Sequence, residues 1–483
     1  MGKPWEIIVG DVRRVLREME AESFDATFSD LPYGIGMSGT GAVKWDYDLP
    51  SVNVFVELLR VLRPGAYAMF FGGTRTFHRM VCNVEDAGFL PCDLAVWMYG
   101  SGFPKSHDIS KAIDKKAGAK RRVVGYKDSG LDKGSGLSAV NFAGSKGRAA
   151  NGLVPVTESM TSDVRRWSGY GTALKPAVEP ISLCCKPYKG TIADCALEHG
   201  VGGLAIDASR IGSDERFITP AGNDETTPNS LAPTNVTGYT GKTVHGRWPA
   251  NVVLQHAPGC VQRGTRSVKG SVPTGPPWTG PSTSHARGKM NGGFIESRGT
   301  GMETVEAWEC VDDCPISLLD AQSGNRPGMS GGGKHRPDYA GGMFGGIDSV
   351  GTARGDQGGA SRFFYSSKVS REERDRGLED FETVAKGADT LRDGPRQGTA
   401  KNGHATLKPI DLCRYFARML LPPPRKDGKP RRLILPYSGA GSEMIGALQA
   451  GWDEVVGIEL VPKHAEWARA RIAKGQIIRN AKR

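Results

Sequence analysis

Pro436-Tyr437-Ser438-Gly439-Ala440-Gly441-Ser442 joins a run with strand composition, 432–436, to a run with helical spacing, 442–450. Glycine lets the backbone turn sharply and approach a ligand closely, and the helix that follows presents free N–H groups. Eighteen residues past Gly441, Glu459 closes the next apolar run, 454–459. A carboxylate there can accept hydrogen bonds from both hydroxyls of a ribose. An ordinary tight turn could use the same glycines; the series strand, Gly-x-Gly, helix, strand, Glu is more specific, and points to a nucleoside cofactor. The third glycine of a dinucleotide fingerprint is missing, its position being Met444. That disfavours a pyrophosphate ligand and a nicotinamide oxidoreductase.

Working outward, strands and helices alternate at both ends of the chain. Strands are predicted at 6–9, 25–29, 66–71, 94–98, 180–185, 432–436 and 454–459, and helices at 11–20, 52–62, 76–87, 409–420, 442–450 and 462–473. The alternation predicts an α/β fold with a parallel sheet and helical crossovers. Residues 118–171 are rich in Gly, Ser, Lys and Arg and read as a flexible insert. Residues 212–245 are rich in Thr, Asn, Pro and Gly, and 246–322 hold a smaller ordered unit broken by a basic stretch near 264–300. The segment 324–359 carries 13 glycines in 36 residues, the composition of a flexible loop. The expected plan is 1–211 and 360–483 as two parts of one α/β domain, 212–330 as a smaller insert, and 331–359 as a loop.

Composition bounds the rest. Glycine makes up 66 of 483 residues, yet 38% are hydrophobic, enough for a large core. The excess glycine therefore belongs to inserts, not to a fibrous chain. The formal charge of +11 is a mild lean toward a polyanion. No run approaches the ~18 apolar residues of a membrane helix, and the first ten residues lack a signal layout. The expectation is a cytoplasmic protein with no membrane partner. Nine cysteines then read as free thiols or metal ligands.

A second signal lies at Asp30-Leu31-Pro32-Tyr33-Gly34, directly after the strand 25–29. A carboxylate there sits at the ligand-facing edge of an open α/β sheet. Pro32 stiffens the loop, and Tyr33 offers a flat face for stacking. With the glycine turn, this tetrapeptide resembles the amino-group DNA methyltransferases, whose catalytic motif is (Asp/Asn/Ser)-Pro-Pro-(Tyr/Phe) and whose Phe-x-Gly-x-Gly motif binds S-adenosylmethionine. The chain departs at Leu31 and Tyr437, and at Leu435, where the family usually has Asp. His404-Ala405-Thr406-Leu407-Lys408-Pro409 is similar to a third family motif, His-x-Thr-x-Lys-Pro.

The catalytic motif precedes the cofactor motif, which is the circularly permuted β-class order. The resemblance implies a Rossmann-like sheet of seven strands, with 432–436 first and 25–29 fourth. It implies Asp30, Leu31, Pro32 and Tyr33 as catalytic residues. It implies a cofactor site from Asp11, Asp30, His404, Thr406, Lys408, Pro436, Tyr437, Ser438, Gly439, Gly441, Ser442 and Glu459, though Asp11 would serve equally as a helix cap. The long central inserts are similar to those of phage and prophage members, including segments 100–106 and 174–180. The implied activity is methyl transfer from S-adenosylmethionine to the N6 amine of an adenine flipped out of duplex DNA, with N4 of cytosine as the alternative. A restriction partner and a homodimer stay open. Methylation at a ring carbon would need a Pro-Cys nucleophile; Cys92 follows Pro91, but without a supporting motif, and reads as core.

His256-x3-Cys260 and Cys310-x3-Cys314 form two ligand pairs 49 residues apart. One His and three Cys complete a tetrahedral zinc set; the plain alternative is a strand-end histidine and three buried thiols. A zinc-containing DNA-binding protein with a degenerate methyltransferase fold is the non-enzyme reading. Intact Asp30, Tyr33, Gly439, Gly441 and Glu459 argue against it.

Overall fold

The computed structural model describes residues 3–34, 48–100, 102, 106–119, 121–128, 153–158, 162–220, 242–269, 294–299, 302–324, 358–367, 373, 375–382, 384–385, 399–402, 404 and 407–481. The loop expected at 331–359 lies outside the described residues except for its last two. The chain divides into two compact units, Met1–Leu204 with Lys368–Arg483, and Ala205–Ser367. No described helix is long and apolar enough to cross a membrane.

In the first unit, strands hydrogen-bond in the order Trp5–Val9, Glu454–Glu459, Arg432–Leu435, Phe24–Asp30, Leu62–Phe71, Val178–Cys185, Leu90–Tyr99. The two C-terminal strands thus lie between the first two N-terminal ones. The first five strands are mutually parallel. Phe24–Asp30 is buried at six successive positions, as a strand covered on both faces must be. The helix Val52–Val61 turns Val54, Phe55, Leu58 and Val61 inward, and Phe55 meets Phe70 edge to face at 5.4 Å.

The sheet is mixed, not wholly parallel as alternation predicts. Val178–Cys185 runs antiparallel to both neighbours. Tyr99 N–H donates to the Ala177 carbonyl at 2.9 Å, so the insert after Leu90–Tyr99 leaves and re-enters at one edge, and the next strand must run back. The insert itself holds structure where flexibility was expected: Arg122–Asp128 pairs antiparallel with Leu153–Glu158. Short runs such as Val123-Val124 flanked by glycine give too little periodicity to show this. Cys92 is exposed, not core, because the whole first half of its strand, Leu90 to Leu94, is exposed.

The second unit is mostly antiparallel. Phe294–Gly299, Ile211–Pro220 and Lys242–Arg247 form one sheet in that order, and Val261–Lys269 pairs with Met302–Glu309 as a two-stranded ribbon. Val252–Gln255 and Tyr365–Ser367 are parallel. Stretches expected to be irregular from their Thr, Gly and Ser content are therefore strands, and cross-strand pairing overrides composition. Inside this unit the Arg247 Nη2 donates to Glu303 Oε2 at 2.7 Å with both residues buried.

One glycine in the first unit has no substitute. Pro64 and Gly65 were expected to end the helix before a strand at 66; instead the strand Leu62–Phe71 runs through them. Gly65 has φ +79°, and a Cβ there would collide with Cys195 Sγ. Gly65→Ala is expected to lower stability by about 2–4 kcal/mol in denaturant melts. Adding Cys195→Ala should restore only the steric part, and full restoration would show that the left-handed backbone carries no strain.

Candidate active site

The C-terminal ends of four adjacent parallel strands meet at one edge of the first unit. Val9 is level with Glu459, Leu435 with Gly457, and Ile434 with Thr27, three residues before Asp30. From Arg432–Leu435 the chain moves to the Glu454–Glu459 side. From Phe24–Asp30 it moves the other way, to Leu62–Phe71. Two neighbouring strands whose connections diverge leave a crevice between them, the usual ligand position of an open α/β sheet.

The glycine turn lies on one side of this crevice. Gly439 and Gly441 have φ of +49° and +82°. A Cβ on Gly439 would come 3.0 Å from His404 Nε2, and one on Gly441 would come 2.9 Å from the Ala468 Cβ. Gly439 N–H donates to Glu459 Oε2 at 2.9 Å and Val461 N–H donates to Oε1 at 2.8 Å, so Glu459 ties two turns together. Its Oε1 also lies 3.4 Å from His464 Nδ1, and Oε2 keeps a further lone pair. Ser438 Oγ is buried with no hydrogen-bond partner among the described residues. Arg471 donates to the Ala440 carbonyl and to Ser442 Oγ, the latter at 3.2 Å. Tyr437 is partly buried against the core, and burial raises its hydroxyl pKa.

Asp11 caps the helix Val12–Glu18, accepting from the Arg13 N–H at 2.9 Å. Its pKa falls to about 2, chiefly through the Arg13 side chain. The cap reading of Asp11 is thus directly visible. The residue before it, Gly10, donates its N–H to the Glu459 carbonyl at 3.0 Å.

On the other side stands Asp30. Its Oδ2 is 2.6 Å from Lys408 Nζ. The same ammonium lies 3.2 Å from Glu179 Oε2 and donates to the Tyr33 hydroxyl at 3.1 Å. The Tyr33 hydroxyl in turn donates to Glu179 Oε2 at 2.8 Å. Lys408 also sits 5.1 Å from the Phe71 ring centre and 5.4 Å from that of Tyr33. Burial by itself lowers the Lys408 pKa, but Asp30 and Glu179 outweigh it and the net shift is upward. Burial, then Asp30 and Glu179, push the Tyr33 hydroxyl well up. Asp30 Oδ1 is buried without a hydrogen-bond partner among the described residues.

Tyr33 is held from behind. A Cβ on Gly73 would lie 3.0 Å from its ring, and Thr76 Oγ1 donates to its carbonyl at 2.6 Å. Leu31 is core, 3% exposed, which accounts physically for an apolar residue at the second motif position. Pro32 is buried beside it.

The motif at 404–409 spans both halves of the site. His404 lies on the glycine turn, Lys408 on Asp30, and Thr406 lies outside the described residues. Lys408, expected among cofactor residues, contacts the Asp30 carboxylate. Sequence reasoning missed Glu179 and Glu443. Glu179 falls in the segment 174–180 already singled out. Glu443 follows the glycine turn directly and resembles any acidic first-turn residue; only its burial, at 6% exposure, marks it. Burial, and then the charge of Asp30, push its carboxyl up to about 7.

In the second unit, the ligand atoms of His256, Cys260, Cys310 and Cys314 all lie within 4.8 Å of one another. The sequence pairs the four residues by spacing, and the fold brings both pairs together.

No family model matches the chain, and no curated protein matches it. Among solved structures it is similar to a Thermus thermophilus protein described provisionally as a DNA modification methylase, with 11% identity over 97% of this chain and 95% of that one, and a TM-score of 0.33. M1.HpyAVI is similar at 8% identity, over 97% and 98% of the two chains, with a TM-score of 0.32. The PvuII DNA methyltransferase, named as cytosine-N4-specific, is similar at 9% identity, over 99% and 93%, with a TM-score of 0.38. Likeness at this level leaves the site to be read from its own residues.

The raised pKa of Glu443 has a signed consequence. The folded chain holds this proton more tightly than the unfolded chain, whose carboxyl titrates near 4.5. That stabilisation is full below about 4.5 and is lost as pH rises to about 7. The melting temperature of Glu443→Gln minus that of the native chain should therefore climb across that window and level off above it. A difference independent of pH would show that Glu443 ionises as an ordinary carboxyl.

Proposed function

We propose that the chain is a DNA methyltransferase that uses S-adenosylmethionine to methylate an exocyclic base amine, adenine N6 in the first instance. The observation that carries this is Asp30: a largely buried carboxylate at the sheet's ligand edge, with one oxygen on Lys408 and the other without a hydrogen-bond partner among the described residues. The cofactor side fits a nucleoside. Two glycines with positive φ remove side chains where backbone must approach closely, and Ser438 Oγ and Glu459 offer polar groups. Gly439, Gly441, Ser438 and Glu459 would hold S-adenosylmethionine, with Asp11 toward the adenine. When bound, the cofactor supplies a methyl group on a positively charged sulfur.

The residues of this chain do the rest by placement. An exocyclic amine is a weak nucleophile because its lone pair feeds the ring. Asp30 Oδ1 accepts one amine hydrogen, and a loop carbonyl at Leu31 or Pro32 accepts the other, which localises the lone pair on nitrogen. Lys408, 2.6 Å from Asp30 Oδ2, fixes the plane of that carboxylate. Tyr33, held by Gly73 and Glu179, stacks on the flipped base. Such preorganised polarity acts in a site already lined by Phe71 and Trp97, where water is scarce. Asp at the first motif position favours adenine. The chain order of the sheet, with Phe24–Asp30 beside Arg432–Leu435, supports the permuted β-class reading. Phosphate contacts from the basic inserts and base reading by residues 212–330 complete the assignment.

With duplex DNA and labelled S-adenosylmethionine, Asp30→Ala should lower turnover by at least about 10²–10³-fold while cofactor affinity stays near native. Gly439→Val should weaken cofactor affinity by about tenfold or more through backbone strain. Nucleoside analysis of the product is expected to give N6-methyladenine. N4-methylcytosine would reassign the base, and unmodified DNA with native protein would overturn the proposal.

A further inference from the structure

We propose that His256, Cys260, Cys310 and Cys314 form a closed tetrahedral site for a structural zinc ion in the second unit. Cys310 Sγ lies 3.5 Å and Cys314 Sγ 3.6 Å from the same atom, His256 Nδ1. Zn–S and Zn–N bonds of about 2.3 and 2.0–2.1 Å in a tetrahedron put sulfur and nitrogen roughly 3.6 Å apart. Hydrogen bonding explains this arrangement poorly. A ring nitrogen has one in-plane lone pair, and two thiols cannot both be satisfied by it. A cation at the centre of the four atoms satisfies every one of them.

The surroundings are those of a ligand cluster. The Trp308 ring stacks on His256 at 3.8 Å and 22°, which fixes the imidazole plane as an outer shell does in metal sites. Cys314 caps the helix Pro315–Ser323, and the backbone N–H groups of Ala257, Ile316 and Ser317 face its sulfur. Three sulfurs and one nitrogen select zinc over hard cations. Four protein ligands leave no open position, so the ion would be structural.

The position also explains why this unit needs one. Cys260 and Cys310 directly precede and follow Val261 and Glu309, the pair that opens the ribbon Val261–Lys269/Met302–Glu309. A two-stranded ribbon is marginal alone. The buried apolar cluster at its base is only Leu254, Ala257, Cys314 and Ile316 among the described residues, and small cores of this kind are commonly held by a metal. Zinc would join the ends of the ribbon to the end of Val252–Gln255 and the start of the helix. Binding releases the thiol protons and adds its free energy to folding.

The inference does not rest on the methyltransferase reading. Full-length protein purified without chelator should contain about one zinc per chain. Its cobalt-exchanged form should show the intense visible bands and thiolate charge transfer of a tetrahedral site. Cys310→Ser should lose the metal. Should that variant fail to fold, His256→Cys should retain about one metal per chain with a shifted cobalt spectrum. A folded, reduced native chain that takes up less than about a tenth of an equivalent of zinc, a pale octahedral cobalt spectrum, or a disulfide among the three cysteines would overturn the proposal. S-adenosylmethionine binding measured on the same samples reports on the first unit separately.

Discussion

The Lys408 ammonium stands where three segments far apart in the chain converge: the loop at Asp30–Tyr33, the start of the strand Val178–Cys185, and its own approach to the helix Ile410–Met419. Two largely buried carboxylates and a phenol could not share this space without a cation between them. Removing one partner from such a set typically costs about 3–5 kcal/mol. The pairing therefore fixes the position of the C-terminal part of the chain against the N-terminal part. Lys408 contacts one oxygen of Asp30, and the other is buried without a hydrogen-bond partner among the described residues. The Phe71, Trp97 and Tyr33 rings around the ammonium exclude water and strengthen each of these contacts.

The sheet supplies the frame for that pairing. Parallel strands put their C-terminal ends at one edge, and the divergent connections after Arg432–Leu435 and Phe24–Asp30 open the crevice there. The glycine turn and the acidic loop then face a common space although roughly 400 residues separate them in sequence. His404 and Lys408 reach both sides from a single short segment. The antiparallel strand Val178–Cys185 adds Glu179 to the same edge, an addition that a uniformly parallel sheet would not allow.

The glycine content divides along the same lines. Gly439, Gly441 and Gly73 are placed where a Cβ would collide with His404, Ala468 or Tyr33, and Gly65 where it would collide with Cys195. These are constraints of close approach. In the described parts of the inserts, short strands such as Arg122–Asp128 and Lys242–Arg247 are secured by pairing and by local ties like Arg247–Glu303. In the second unit the apolar cluster beneath the ribbon is small, and the His–Cys quartet sits where a staple is needed.

Local rules made much of this legible. Apolar periodicity located strands such as Phe24–Asp30 and Glu454–Glu459, and the residues around Asp30 and Gly439 were readable because turns and strand ends need particular residue types at fixed offsets. The two His–Cys pairs were readable for the same reason. Long-range pairing decided what remained. The direction of Val178–Cys185, the strands within the inserts, the exposure of Cys92, the contacts of Lys408 with Asp30 and Glu179, and the burial of Glu443 depend on which segments meet. A residue's type and spacing determine what it can do locally. The partners that set its charge state and free its atoms for chemistry come from strands that are distant in sequence, and only the folded chain brings them within reach.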